Sequence, residues 1–231
     1  MKSPLEKANG RIVGYDEQRQ ELLIRVPYSD WHTLTKRQYK TCVVQLVDSR
    51  PVSSRQRRCC YALLGAISDE TGMGKDPTKE YMKRKFLLED LEATEEQVFS
   101  LATASISLVC AFQRFLIRFI LDWDIPVKFS LLDMVDDVPD YIYSCLRAKK
   151  CVVCGREAEL HHIDRAGEGR RHIESLYEGL EALPLCSEHH TQAHSMSNQA
   201  FFNRYHLSGG IILDSSLCCI WDLQHGHRKE I

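Results

Sequence analysis

Cys151, Cys154 and Cys186, with five of the six histidines between positions 151 and 194, are the residues of this sequence with the clearest capacity for chemistry. Cys151-x-x-Cys154-Gly155 has the form of a knuckle: two thiolates on a tight turn can grip one tetrahedral zinc, and Gly155 permits the turn. Cys186 and His189, separated by the same spacing, supply the two further donors of a Cys3His site. More donors remain than one zinc can use. His190 and His194 lie four residues apart on a predicted helix and so share a face. At about 100° per residue, the Cys186/His189 pair and the His190/His194 pair point in directions roughly 90° apart. Two sites are therefore expected, one closed and structural. The other, completed by His161, keeps positions open for substrate. His161 and His162 are neighbours on a predicted strand over 158–163, where successive side chains project to opposite faces. One of them can bind the ion while the other stays free, a suitable place for a general base that titrates near neutrality.

The elements that must hold these residues can be read along the chain. Short apolar runs at 11–14, 21–26 and 41–47 predict strands, with Pro27 and Pro51 at strand ends. Helices follow. Ser53 or Ser54 caps a helix that stops at Gly72-Met73-Gly74, and Pro77 or Thr78 opens a second toward Leu88. The clearest helix is expected from about Ala102 to Trp123, with an apolar face of Ile106, Val109, Phe112, Phe115, Leu116, Phe119 and Ile120, ended by Ile125-Pro126. A last helix over 139–148 leads into Lys149-Lys150-Cys151. That basic pair marks the expected boundary between an α+β domain, 1–148, and a metal module with a C-terminal extension, 149–231. The two parts are expected to pack together, since no low-complexity linker divides them.

Bulk composition sets few limits. The chain has 231 residues, 44% hydrophobic and 27% charged, with a formal net charge of -2. A nucleic-acid surface must then come from local clustering of basic residues. The apolar stretch 97–113 is shorter than the roughly 20 residues of a membrane span, so a buried helix, no membrane contact and a cytoplasmic location are expected. Cysteines in such a compartment serve as thiols or metal ligands rather than disulfides. Cys42, Cys59, Cys60, Cys110, Cys145, Cys218 and Cys219 read as small buried hydrophobes. His172, His206, His225 and His227 read as surface or packing residues, and Asp133, Asp136 and Asp137 as a helix boundary.

The knuckle, the His161-His162 strand, the loop after it and the run LPLCSEHHTQAH together resemble the HNH endonucleases of ββα-metal fold, over about Cys151 to His194. The wider chain, with SxxQRRxxYALLxxISxxTG, FSLATAS, DWDIPVKFSLLD, LHHIDRAGEGR and FFNRYHLSGGIIL, resembles HNHc nucleases of phages and prophages. From about Asp48 to Leu132 it is similar to the phage recombination mediator family NinB, also called Orf, which binds single-stranded DNA. The resemblance implies that His161, His190 and His194 bind a catalytic divalent metal (Mg, Mn, Ni or Zn) and that His162 is the base. It also implies 5′-phosphate and 3′-hydroxyl products, and a host cytoplasm if the gene is phage-borne. One departure stands out: Glu181 occupies the place of the motif's central Asn. Arg165, Arg170 and Arg171 in the loop are expected along the phosphate backbone. Arg55, Arg57 and Arg58, beside Tyr61, are a second expected contact, suited to single strands. The expected partner is DNA, single-stranded, duplex or branched, with self-association and other phage recombination proteins as further partners to consider. A catalytically inactive, zinc-containing single-strand-binding mediator is the competing expectation.

Overall fold

The structure, a computed structural model, describes residues 9–30, 32, 35–36, 41–42, 44, 48, 50–90, 99–163 and 177–223. Two compact units divide it, Met1–Leu46 and Val47–Ile231. In the first, β1 (Arg11–Asp16) and β2 (Glu21–Arg25) form an antiparallel hairpin with a register shift between Ile12 and Gly14. The Asp16 carboxylate accepts from the backbone N–H groups of Gln18 and Arg19 and so fixes the turn. The strand expected over 41–47 lies mostly outside the described residues; Thr41, Cys42 and Val44 are not in one.

The second unit begins with helices whose limits follow from their caps. In α1 (Ser54–Thr71), Ser53 and Gln56 form a reciprocal capping box, and Gly72, at φ 68°, ends the helix in the left-handed region. Helix α2 (Lys75–Glu89) starts two residues earlier than its proline suggests. Gly74 makes the entry, and Pro77 sits in the first turn, where a missing N–H costs nothing. Helix α3 (Ile106–Asp122) starts later than its apolar run, because the Ser105 side chain accepts from the Leu108 N–H and fixes the first turn there. Helix α4 (Val138–Ala148) is capped by Asp137, so that acidic cluster is a helix boundary as expected.

The mixed helices and small sheets make an α+β fold. Phe86, Phe99, Phe112 and Phe115 meet at centroid distances of 5.3–6.3 Å where α2 and α3 pack. The same core continues through Ile142 and Leu146 of α4 into Cys151, Val152, Leu183 and Leu185. Residues on both sides of position 148 thus share one hydrophobic core. A three-stranded antiparallel sheet, ordered β3 (Glu159–His162), β4 (Glu181–Leu185) and β5 (Ile211–Ile212), follows. Helix α5 (Ser187–Ser195) leaves β4 directly, and α6 (Asn198–Tyr205) and α7 (Ser215–Ile220) complete the unit. At the base of the module, the Trp221 indole N–H donates to the Leu146 carbonyl (3.0 Å) and the Lys149 ammonium lies 5.4 Å from the ring centroid. No helix among the described residues is long and apolar enough to cross a membrane.

Cys60, Cys145 and Cys218 are buried as expected, whereas Cys42 and Cys219 are exposed. In α7 the adjacent Cys218 and Cys219 point to different sides, so only one can reach the core.

Candidate metal centre

A small hairpin carries the first two thiols. Lys149 takes the left-handed conformation that ends α4, and the Lys150 N–H returns to the Cys145 carbonyl (2.9 Å). The Gly155 N–H then donates to the Cys151 carbonyl (2.8 Å), closing the turn with Gly155 at φ 73°. The Val152 N–H donates to the Pro184 carbonyl (3.0 Å), which fastens the knuckle to β4. Because β4 runs straight into Cys186, that bond also sets the distance between the two donor pairs. Cys186 is the N-terminal cap of α5 rather than a residue inside it, and His189 lies in the first turn.

Donor atoms of Cys151, Cys154, Cys186 and His189 all lie within 4.8 Å of one another. The Cys154 and Cys186 sulfurs are 3.7 Å apart, and His189 Nδ1 stands 3.5 Å from Cys151 Sγ and 3.1 Å from Cys186 Sγ. Tetrahedral zinc, with bonds of about 2.3 Å to sulfur and about 2.0 Å to nitrogen, needs edges of about 3.8 Å between sulfurs and about 3.5 Å from sulfur to nitrogen. The donor set fits zinc. Burial pushes the Cys151 thiol up to about 12. At Cys154 burial acts in the same sense, but hydrogen bonds from the side chain and backbone of Arg156 outweigh it and hold that thiol below its ordinary value. Arg156 donates from Nε to Cys154 Sγ (3.3 Å) and from Nη2 to Cys186 Sγ (3.5 Å), and its guanidinium also pairs with Glu188 (2.5 Å). It is the cation that faces the thiolates.

A second donor set occupies the other side of α5. His161, His190 and His194 also offer atoms within 4.8 Å of one another, with ring centroids 5.0, 5.0 and 4.8 Å apart. His161 is buried, His190 is half-buried and His194 is exposed, so the cluster opens to solvent along the helix. Burial, together with the neighbouring His190, His194 and His162, lowers the His161 imidazole to about 4 and keeps it neutral, the form that binds metal. The Glu159 carboxylate lies 3.1 Å from His190 Nδ1. A proton on that nitrogen leaves Nε2 as the lone-pair donor, the usual second-shell arrangement of a metal-binding histidine. Three imidazoles with open positions fit a borderline divalent ion.

His162 extends from the opposite face of β3 and does not join the triad. It packs on Tyr177 with ring centroids 5.4 Å apart, and burial followed by the charge of His190 lowers its pKa. Among the described residues, nothing hydrogen-bonds His162 Nδ1. Arg165, Arg170 and Arg171 lie outside the described residues. Arg55, Arg57 and Arg58 follow one another on α1. Arg55 donates to the Asp133 carbonyl (3.0 Å) and Arg57 to the Ser54 hydroxyl (3.4 Å). Arg58 and Tyr61 are exposed. Glu159 and Arg156 were missed by the sequence reading. Glu159 could have been found from its place two residues before His161, on the same strand face; nothing in the spacing marks Arg156.

A family profile described as "Putative HNHc nuclease" matches residues 28–221. No curated protein and no solved structure matches the chain. An HNHc nuclease implies a metal-dependent enzyme with DNA as its substrate, and the two donor sets are of the kind such chemistry requires. The chain belongs to the HNHc nuclease family.

Proposed function

We propose that this protein is a metal-dependent DNA endonuclease of the ββα-metal type, with a structural zinc on Cys151, Cys154, Cys186 and His189 and a catalytic ion on His161, His190 and His194. The observation that carries the reading is the pair of separate donor sets that meet at one nine-residue helix, which gives His189 to the set with three sulfurs and His190 and His194 to the set that opens to solvent. A divalent ion in the open set would supply Lewis-acid stabilisation of the charge that develops on the phosphate and the leaving 3′ oxygen. His162 accepts the proton of the attacking water. Its lowered pKa keeps the imidazole neutral, and hence basic, at neutral pH. Glu159 holds the His190 ring in one tautomer. Arg165, Arg170 and Arg171 track the phosphate backbone and fix the duplex without reading its sequence. Residues 1–148 form the NinB-like part, with Arg55, Arg57, Arg58 and Tyr61 as its contact to a displaced single strand. The proposed setting is phage DNA recombination or processing in a host cytoplasm.

Nicking of a supercoiled plasmid across Mg, Mn, Ni and Zn tests the reading, with His162→Ala as control. The wild type should cut with at least one ion. His162→Ala should lose about 100-fold to 10,000-fold in rate, the usual contribution of a general base, while keeping both metals. Equal cutting by the variant would remove His162 from the mechanism. A wild type that binds single-stranded DNA and cuts nothing would favour an inactive mediator.

A further inference from the structure

His162 raises a question of aim. The free Nδ1 and the single ring contact to Tyr177 leave its imidazole without a hydrogen bond to orient it among the described residues. Among the described residues, the main chain on which it sits and the Tyr177 ring are what direct it. Strand β3 ends at His162, and both polar groups of the next residue are held. The Ile163 N–H donates to the Glu181 carbonyl (2.9 Å), and the Ile163 carbonyl accepts from Asn198 Nδ2 (3.2 Å).

Asn198 is itself well placed. It is the first residue of α6, directly after the Ser197 cap, whose hydroxyl accepts from the Ala200 N–H (3.2 Å). The Glu181 side chain turns away from His162 and accepts the Gly210 N–H at 2.7 Å. Gly210 in turn lies so near β3 that a Cβ there would stand 2.2 Å from Ile163 Cδ1 and 2.7 Å from the Ala182 carbonyl oxygen. Only glycine fits. Segments at 181, 198 and 210 therefore converge on the one residue after His162.

We propose that Asn198 and the Glu181–Gly210 pair form a brace on Ile163 that aims His162, with Asn198 as a positioning residue for the proton-transfer step. The proposal rests on His162 being the base. It assigns a task to the C-terminal extension beyond His194 and gives Glu181 a scaffold role.

The test compares Asn198→Asp and Asn198→Ala with the wild type, all loaded with zinc. Aspartate keeps the size but cannot donate to a carbonyl, and a negative charge in the first turn suits the helix, so α6 should stay folded. Alanine removes the donor without adding charge. One exposed hydrogen bond sets the scale at about fivefold. Both variants should lower kcat about fivefold, leave the alanine variant's KM within about twofold, and speed amide exchange at Ile163 about fivefold, with the melting temperature little changed. Wild-type kcat and wild-type protection at Ile163 in both variants would overturn the brace. A loss confined to Asn198→Asp would overturn it too, because charge would then explain the effect. If the wild type cuts with no ion, the nuclease reading fails. The exchange rate at Ile163 still decides whether Asn198 holds that strand end.

Discussion

The two donor sets that meet at α5 differ in donor type and in the charged group beside them, though each runs from a buried to an exposed member. One is made mostly of sulfur, its Cys151 and Cys186 buried and its thiols faced by Arg156. The other is all imidazole, graded from buried His161 to exposed His194, with a carboxylate rather than a cation behind it. Soft, enclosed donors suit an ion that stays. Neutral donors with open positions suit an ion that must also meet a substrate oxygen. A cation near thiolates offsets their charge, and a carboxylate near an imidazole increases its basicity. The same short helix thus faces two donor sets with different charged neighbours, Arg156 paired with Glu188 at one and Glu159 at the other.

The comparison breaks most visibly at the knuckle. Cys151→Ser should destabilise the whole Val47–Ile231 unit, since Cys151 belongs to the same core as Leu146 and Leu183. Structural zinc contributes on the order of 10 kcal/mol in small metal domains. Even part of that should lower the thermal midpoint by about 10 °C or more in a unit of this size. An unchanged midpoint with zinc content reduced would show that the closed set does not support the fold.

A middle-sized effect is expected at the open set. His194→Ala should abolish divalent-ion-dependent cutting while the protein keeps its zinc and melts within a few degrees of the wild type, because the exposed ring adds little to the core. Metal content by mass spectrometry and a melting curve check both halves. If His194→Ala releases the zinc as well, the two sets are not independent.

The smallest effect belongs to the second shell. Glu159→Gln leaves a hydrogen-bonding group beside His190 but removes its charge. Affinity for the catalytic ion, measured by titration calorimetry, should fall about 10-fold, at the lower end of what outer-shell changes cost. Zinc affinity should not move. A change at zinc instead would place Glu159 in the wrong network.

Local signals were the legible ones. Ser53 and Gly72 announce both ends of α1, and the four donor spacings lie within short segments whose geometry is nearly fixed by the turn and the helix. The start of α2 was read late because proline looked like the opening residue, whereas Gly74 makes the turn and Pro77 merely tolerates the first coil. The start of α3 was read early because apolar periodicity does not reveal which serine caps. Arg156 and Asn198 were out of reach for a different reason. The Arg156 bond to Cys186 and the Asn198 bond to Ile163 span 30 and 35 residues, and contacts of that kind exist only after β3, β4 and α6 have packed. The expected burial of Cys42 and Cys219 failed because residue type gives an average, while exposure is settled by which way one side chain faces.

Trp221 gives the protein a native optical marker. Its indole is bonded to the turn that closes α4, five residues before the first thiol of the knuckle, and a lysine charge sits over its ring. Any loosening of that turn alters both the hydrogen bond and the local field at the chromophore. Trp123, by contrast, is 70% exposed and already senses water. The molecule therefore carries, without any label, a fluorophore whose colour is coupled to the floor of the zinc-type site.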